Sequence, residues 1–262
     1  MGIIVQKSTG SSIVEIIFDR PEKRNALDGP TLESFLEALQ ELKKDQEIKV
    51  IITSGAGNKA YTAGMDLHYL RKIQKTGQHW SETPLLVQAA ETLRSLPQIT
   101  ISKIRGYCLG GGITLVAAHE LAVTAQSSWF GAPEIIRGEF GKLTTASLFH
   151  SGLSPKKAFL MQLTGNQIDG TEAERLGLVT HVVPDSDLND FTYKLASQIS
   201  EYKRSTLEHA KIAAYLAQSG NLSEAFKTDA LLAAHLRLHL DPLENVEEYL
   251  AKQHKSGKKN ES

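Results

Sequence analysis

The chain of 262 residues holds a single cysteine, Cys108, so no disulfide can form within it and a fold that depends on cross-links is excluded. Long apolar runs are missing too. No stretch reaches the roughly 18 residues that a membrane-spanning helix needs, so neither a helical membrane protein nor a membrane partner is expected. Net charge is nearly absent: a formal value of −1 leaves no broad field to draw nucleic acid or an anionic lipid surface. Any polyanionic ligand must then be held by a few local cations. The first residues, Met1 to Gln6, lack the basic and apolar regions of a secretion signal, and Lys258 to Ser262 lack a peroxisomal address, so the expected location is cytoplasmic. His68, His119 and His150 have no carboxylate or thiol at ligand-like spacing, and no metal site is expected.

What is present is ordinary for a globular protein, with 41% hydrophobic and 23% charged residues, enough to bury a sizeable core. Short β-branched runs at Ile13 to Phe18, Val50 to Thr53, Ile99 to Ile104, Leu121 to Thr124 and Val179 to Val183 read as strands. Between them Leu32, Phe35, Leu36, Leu39 and Leu42 recur at helical spacing after Pro30, and Leu86, Ala89, Ala90 and Leu93 do so after Pro84. Ser154-Pro155 reads as a helix start, Gly165 as its end, and Thr171 to Glu174 as a capping box. Strands alternating with helices imply an α/β chain with a largely parallel arrangement. From about Ser186 onward only helical patterns occur, and the Ala- and Leu-rich stretch from Asp229 to Leu240 has an apolar face wide enough to need a cover. That cover could be the same chain or another subunit.

Two glycine-containing loops carry chemistry. Gly110-Gly111-Gly112 follows a strand and opens an apolar helix, where N–H groups can approach a ligand with no Cβ in the way, at the positive end of the helix dipole. Ala63-Gly64-Met65-Asp66 comes shortly after another strand. Two such loops could give two N–H donors to one oxyanion. A triple glycine alone is equally what tight packing requires, and the spacing is not that of a dinucleotide fingerprint.

Arg20-Pro21-Glu22-Lys23-Arg24-Asn25-Ala26-Leu27 resembles the R-P-x-x-x-N-A-L motif of the enoyl-CoA hydratase/isomerase (crotonase) superfamily. The A-G-x-D loop at Ala63 to Asp66, the glycines 110 to 112, Phe130 to Glu134, and Leu163 to Val179 follow in family order. The resemblance covers about residues 5 to 185. It implies a crotonase (ClpP-like) spiral of repeated ββα units over residues 1–185, and a C-terminal helical trimerisation region over 186–262, assembled as a homotrimer or homohexamer. It implies an acyl-CoA thioester as substrate, with coenzyme A part of that substrate and no separate cofactor. The oxyanion donors it implies are the N–H groups of Met65 and Gly111. Lys23, Arg24 and Ala26 match the CoA-contacting segment, Ala63 and Asp66 flank the donor loop, and Tyr249 and Lys252 match positions that close over CoA.

The pattern is broken at two places. Hydratases of the family use two glutamates to hold a water; here the later one is Glu134, but the earlier position is Thr114, whose hydroxyl cannot act as a carboxylate base near neutral pH. Isomerases of the family keep only the later glutamate, so enoyl-CoA double-bond isomerisation with Glu134 as proton shuttle is the expected reaction. Hydratase, lyase or decarboxylase chemistry is the enzymatic alternative, and a non-catalytic CoA-ester scaffold the other. Lys142 stands eight residues after Glu134, where some family members carry a catalytic aspartate. There it could neutralise Glu134, bind an anionic group or act as an acid, or it could face solvent.

Overall fold

The computed structural model describes residues 2–7, 10–76, 84–238, 246, 247 and 250. Two sheets run through it. The first has the order β1 (Ile3–Lys7), β2 (Ile13–Phe18), β3 (Val50–Gly55), β5 (Ile99–Ile104), β7 (Leu121–Ala125) and β10 (His181–Val183), antiparallel between β1 and β2 and parallel thereafter. The second holds the short strands β4 (Ala60–Thr62), β6 (Tyr107–Leu109) and β8 (Trp129–Gly131) in parallel, with β9 (Ile168–Asp169) antiparallel to β8. Each of the turns β3-β4, β5-β6 and β7-β8 puts one strand into each sheet before a helix follows. That is the ββα spiral expected from the family resemblance.

The helices of the first compact unit, residues 1–201, are α1 (Gly29–Lys44), α2 (Leu67–Thr76), α3 (Leu85–Ser95), α4 (Gly111–Ala118), α5 (Lys142–His150), α6 (Pro155–Thr164), α7 (Gly170–Arg175) and α8 (Leu188–Ser200). Asp28 caps α1 by accepting from the Thr31 N–H at 3.0 Å, and Gly165 ends α6 at φ +68°, a conformation that costs glycine nothing. The capping box expected at Thr171 to Glu174 is not formed. Asp169 caps α7 instead, accepting from the Glu172 N–H at 2.8 Å, which puts Thr171 inside the helix.

Strand alternation sorts the core. In β3, Ile51 joins the cluster built with Phe18, Leu32, Phe35, Leu39 and Leu93, while Val50 and Ile52 turn to the opposite face with Ile101, Val123, Leu188 and Ala196. Each such side chain is worth about 1.5–3 kcal/mol relative to exposure. Leu188 and Ala196 belong to α8, so the boundary expected at 185/186 falls at 201/202. The reason is that the polar-to-apolar period of α8 matches the outer face of the first sheet. The second unit, residues 202–262, contains α9 (Arg204–Ser219) and α10 (Leu222–Arg237), which pack on one another and join His209 Nε2 to His235 Nδ1 at 2.9 Å. Among the described residues no helix is long and apolar enough to cross a membrane.

The outer face also buries an acid. Glu15 of β2 is 5% exposed and accepts from Lys103 Nζ at 2.8 Å, from the Tyr193 hydroxyl at 2.6 Å and from the Ser54 hydroxyl. Burial pushes its carboxyl up, but the Lys103 ammonium and the two hydroxyls outweigh that and hold it below the usual carboxylate range. A folded-state value below the unfolded one adds stability above the unfolded value, and that stability is lost as pH falls through the folded one. Glu15→Gln should therefore cost about 1–3 kcal/mol at neutral pH, since it takes the counter-charge from a partly buried Lys103, whose ammonium keeps its bond to Asn189. The gap from wild type should narrow below about pH 4. Urea denaturation across that range checks it, and parallel pH curves for the two proteins would count against the assignment.

Candidate active site

The three parallel strands of the second sheet end side by side, and each end delivers one part of the site. Neighbouring strands lie about 4.8 Å apart, so whatever follows them is brought within a few ångströms without any long-range adjustment.

After β4 the chain runs through Ala63, Gly64, Met65 and Asp66. Leu27 donates its N–H to the Gly64 carbonyl and accepts from the Asp66 N–H, both at 2.8 Å, forming a parallel bridge opposite Met65. In such a bridge the residue between the two bonded neighbours turns its own N–H to the far side. Gly64, at φ +85°, presses so closely on the next loop that a Cβ would stand 2.6 Å from the Leu109 carbonyl oxygen and 3.2 Å from the Gly111 nitrogen. After β6, Gly110 caps α4 and Gly111 is its first residue, so the Gly111 N–H has no partner within the helix. A Cβ on Gly111 would lie 3.7 Å from the Met65 nitrogen and 3.0 Å from Leu86 Cδ2. The Met65 nitrogen and the Gly111 backbone thus lie side by side, and among the described residues neither N–H donates to a protein backbone acceptor.

After β8, Pro133 opens a short 3-10 turn, Pro133–Arg137, that carries Glu134 and stops at Gly138 in the left-handed conformation. The Gly110 N–H donates to the Gly131 carbonyl at 2.9 Å, which holds this third segment against the second. A Cβ on Gly110 would be 2.6 Å from Glu134 Oε1, so the carboxylate lies directly against the glycine loop. Thr144 of α5 donates its hydroxyl to that same Oε1 at 2.8 Å. Oε2 is buried with no hydrogen-bond partner, and so is Oγ1 of Thr114 on α4. Two convergent donors beside one ionisable carboxylate can steady negative charge on a carbonyl oxygen while a proton leaves or joins the adjacent carbon.

The sequence profile of the enoyl-CoA hydratase/isomerase family matches residues 8–258. The chain belongs to the crotonase superfamily. It is 31% identical over 205 residues to the hydroxycinnamoyl-CoA hydratase-lyase of Pseudomonas fluorescens, covering 76% of this chain and 73% of that one. The structure of human enoyl coenzyme A hydratase domain-containing protein 3 superposes with a TM-score of 0.89 at 26% identity, covering 96% of this chain and 98% of that one. A monofunctional enoyl-CoA isomerase of Mycobacterium smegmatis superposes with a TM-score of 0.72 at 25% identity, over 86% of this chain and 97% of that one.

In this crotonase the sequence-derived residues divide into two groups. Met65, Gly111, Thr114 and Glu134 are carried by adjoining segments of the site. The segment from Lys23 to Ala26 forms a tight turn in which Arg24 and Asn25 take φ of +52° and +55°. Buried Asn25 fixes that turn by donating to the Ala56 and Ala60 carbonyls at 3.0 and 2.7 Å and accepting from the Arg20 N–H. Arg24 stacks on Tyr107, 5.4 Å from the ring centre, and its carbonyl accepts from the Ala63 N–H at 2.9 Å. The Lys23 ammonium is more than half exposed and 3.9 Å from Asp66. Ala26 uses its N–H on the Lys23 carbonyl and its own carbonyl on Arg20.

Asp66, expected among the substrate contacts, has its carboxylate committed elsewhere. It accepts from Arg20 at 3.1 Å and caps α2 through the His68 and Tyr69 N–H groups at 2.9 and 3.3 Å. Burial raises its pKa, and those donors together more than reverse that, keeping it ionised. Lys142, expected among the catalytic residues, is also placed otherwise. Its side chain is 55% exposed and pairs with Glu139 at 3.7 Å, three residues back. Lys252, with Tyr249, lies outside the described residues.

Thr144 is the site residue that the sequence reading passed over. The only signal in the sequence was a hydroxyl residue ten positions after the glutamate. His119 has a structural place: its Nδ1 lies 2.7 Å from the Leu115 carbonyl and its Nε2 2.8 Å from the Thr53 hydroxyl, which also meets the buried Tyr61 hydroxyl at 2.8 Å. Among the described residues no three His, Cys, Asp or Glu side chains are grouped to hold a metal.

Proposed function

We propose that this crotonase shifts the double bond of an enoyl-CoA thioester. The Met65 and Gly111 N–H groups take the thioester oxygen as it gains enolate charge. Glu134 removes a proton from C2 and returns it at C4, so that no atom is gained or lost. The observation that carries the reading is the state of Glu134, whose carboxylate lies against Gly110, one residue before the Gly111 donor, with Oε2 buried and unpartnered and with Thr114 supplying a hydroxyl instead of a second carboxylate. One base is enough to move a proton. Adding water by the two-glutamate route needs a second. The exposed Lys23 and the stacked Arg24 are the cations we assign to the CoA phosphates. A homotrimer or homohexamer in the cytoplasm completes the reading, supported by Leu222, Phe226 and Leu231 of α10, which are large, apolar and exposed.

Incubating the purified protein with 3-hexenoyl-CoA and, separately, 2-hexenoyl-CoA tests this. Conversion of the first to the conjugated 2-enoyl thioester, faster than hydration of the second, is the expected result; hydration alone would overturn it. A hydratase reading is favoured by one observation, that the buried Thr114 hydroxyl has no protein partner, the condition under which a buried polar group takes a water. Thr114→Glu should therefore raise hydration relative to isomerisation by restoring a water-holding pair, whereas Thr114→Ala should change isomerisation by less than about threefold, since no base is removed. A Thr114→Ala protein that loses isomerisation as completely as a base deletion would contradict the assigned roles.

A further inference from the structure

We propose that Thr144 is a positioning residue that restricts proton transfer to a single oxygen of Glu134; the inference rests on Glu134 being the proton carrier. Three contacts define the carboxylate. Oε1 lies against Gly110, where a Cβ would come within 2.6 Å of it, and accepts the Thr144 hydroxyl at 2.8 Å. A Cβ on Gly141 would stand 3.5 Å from the Glu134 carboxyl carbon, from Oε2 and from Thr144 Cβ, so the loop before α5 closes the other flank. Thr144 is itself 3% exposed, with no room to swing away. The carboxylate is therefore gripped at one oxygen.

The consequence is chemical. Oε1 is engaged by a donor, while Oε2 is buried with none. Protonation at Oε2 keeps the Thr144 bond intact, because Oε1 still accepts in the neutral acid. Protonation at Oε1 would force the hydroxyl to turn round and accept instead of donating. The hydroxyl, as long as it donates to Oε1, thus favours Oε2 as the atom that carries the proton and holds the carboxylate plane in place. A carboxylate free to rotate would present either oxygen and spend most of its time misaligned. Lys142, two residues earlier on α5, is turned to Glu139 and takes no part in this grip.

The test compares Thr144→Val, which keeps the shape and removes the donor, with Thr144→Ser, which keeps the donor. Both are assayed for isomerisation of 3-hexenoyl-CoA and for deuterium uptake into butyryl-CoA in D2O. Thr144→Val should lower the saturating rate about tenfold with KM within about twofold of wild type, and Thr144→Ser should restore at least half of the rate. Equal rates in wild type and Thr144→Val, or a loss that serine does not restore, would overturn the inference while leaving the proposed function standing. A wild-type protein that neither isomerises nor exchanges removes the proton-carrier reading and this inference with it. Should Thr144→Val fail to fold, Thr144→Ala, which introduces no new atoms, is read by the same criteria.

Discussion

Glu134→Gln is expected to lower proton removal from an acyl-CoA thioester by about 10²–10⁴-fold, the contribution of a positioned general base. The amide has the size and planarity of the carboxylate, and its oxygen can still accept the Thr144 hydroxyl now held by Oε1. The 3-10 turn over Pro133–Arg137 depends on Pro133 and Gly138, not on the carboxyl group, so the fold and the oxyanion loop should be retained. What is lost is an atom able to accept a proton, because the amide nitrogen in place of Oε2 is already a donor. The change should therefore appear in kcat, with KM for 3-hexenoyl-CoA within a few-fold of wild type. Deuterium uptake into butyryl-CoA should fall in parallel. Near-normal turnover in Glu134→Gln would sink both the isomerase reading and the assignment of the base.

How much of this site was legible in the sequence depended on whether the signal was local. The end of α6 at Gly165 rests on dihedral angles set within a few residues and stands where the pattern puts it, and the helical spacing after Pro30 lies within α1, which opens at Gly29 behind the Asp28 cap. The three parallel strands of the second sheet are three residues long each, too short for alternation to register, yet they bring the segments carrying Met65, Gly111 and Glu134 together. Only the order of motifs pointed to that meeting. Lys142 and Thr144 show a different limit. Counting from Glu134 picks out Lys142, but on a helix two positions are about 200° apart, so a residue two steps on faces the opposite way. Thr144 faces the carboxylate and Lys142 faces solvent. The boundary at residue 201 was hidden for a related reason: α8 has the periodicity of any amphipathic helix, and nothing within it says that its apolar stripe covers Val50, Ile52 and Ile101.

Gly110→Ala should cost about 10²-fold in kcat, because a displacement of about 1 Å in a reacting group has that effect. Two strains act at one position. The backbone of Gly110 has φ +52° and ψ −112°, which an L-residue adopts only at a cost of about 1–3 kcal/mol. The new Cβ would also stand 2.6 Å from Glu134 Oε1, an oxygen that Thr144 already holds from the other side. Something must move, and the carboxylate is the group with rotatable bonds, so it should turn out of line with the donors. In a chain of this length the backbone strain should lower the melting temperature by about 2–12 °C, since about 1 kcal/mol corresponds to about 2–4 °C. A folded but slow enzyme is the outcome expected. Gly110 also precedes the Gly111 donor, so a slow variant alone would not say which part of the site was disturbed. A double-mutant cycle separates them. If the harm runs through the carboxylate, Gly110→Ala should add little in a Glu134→Gln background, where that group no longer carries the proton. An equal loss in both backgrounds would place the damage at the Gly111 N–H instead, and would contradict the view that the absence of a side chain at Gly110 exists to seat the base.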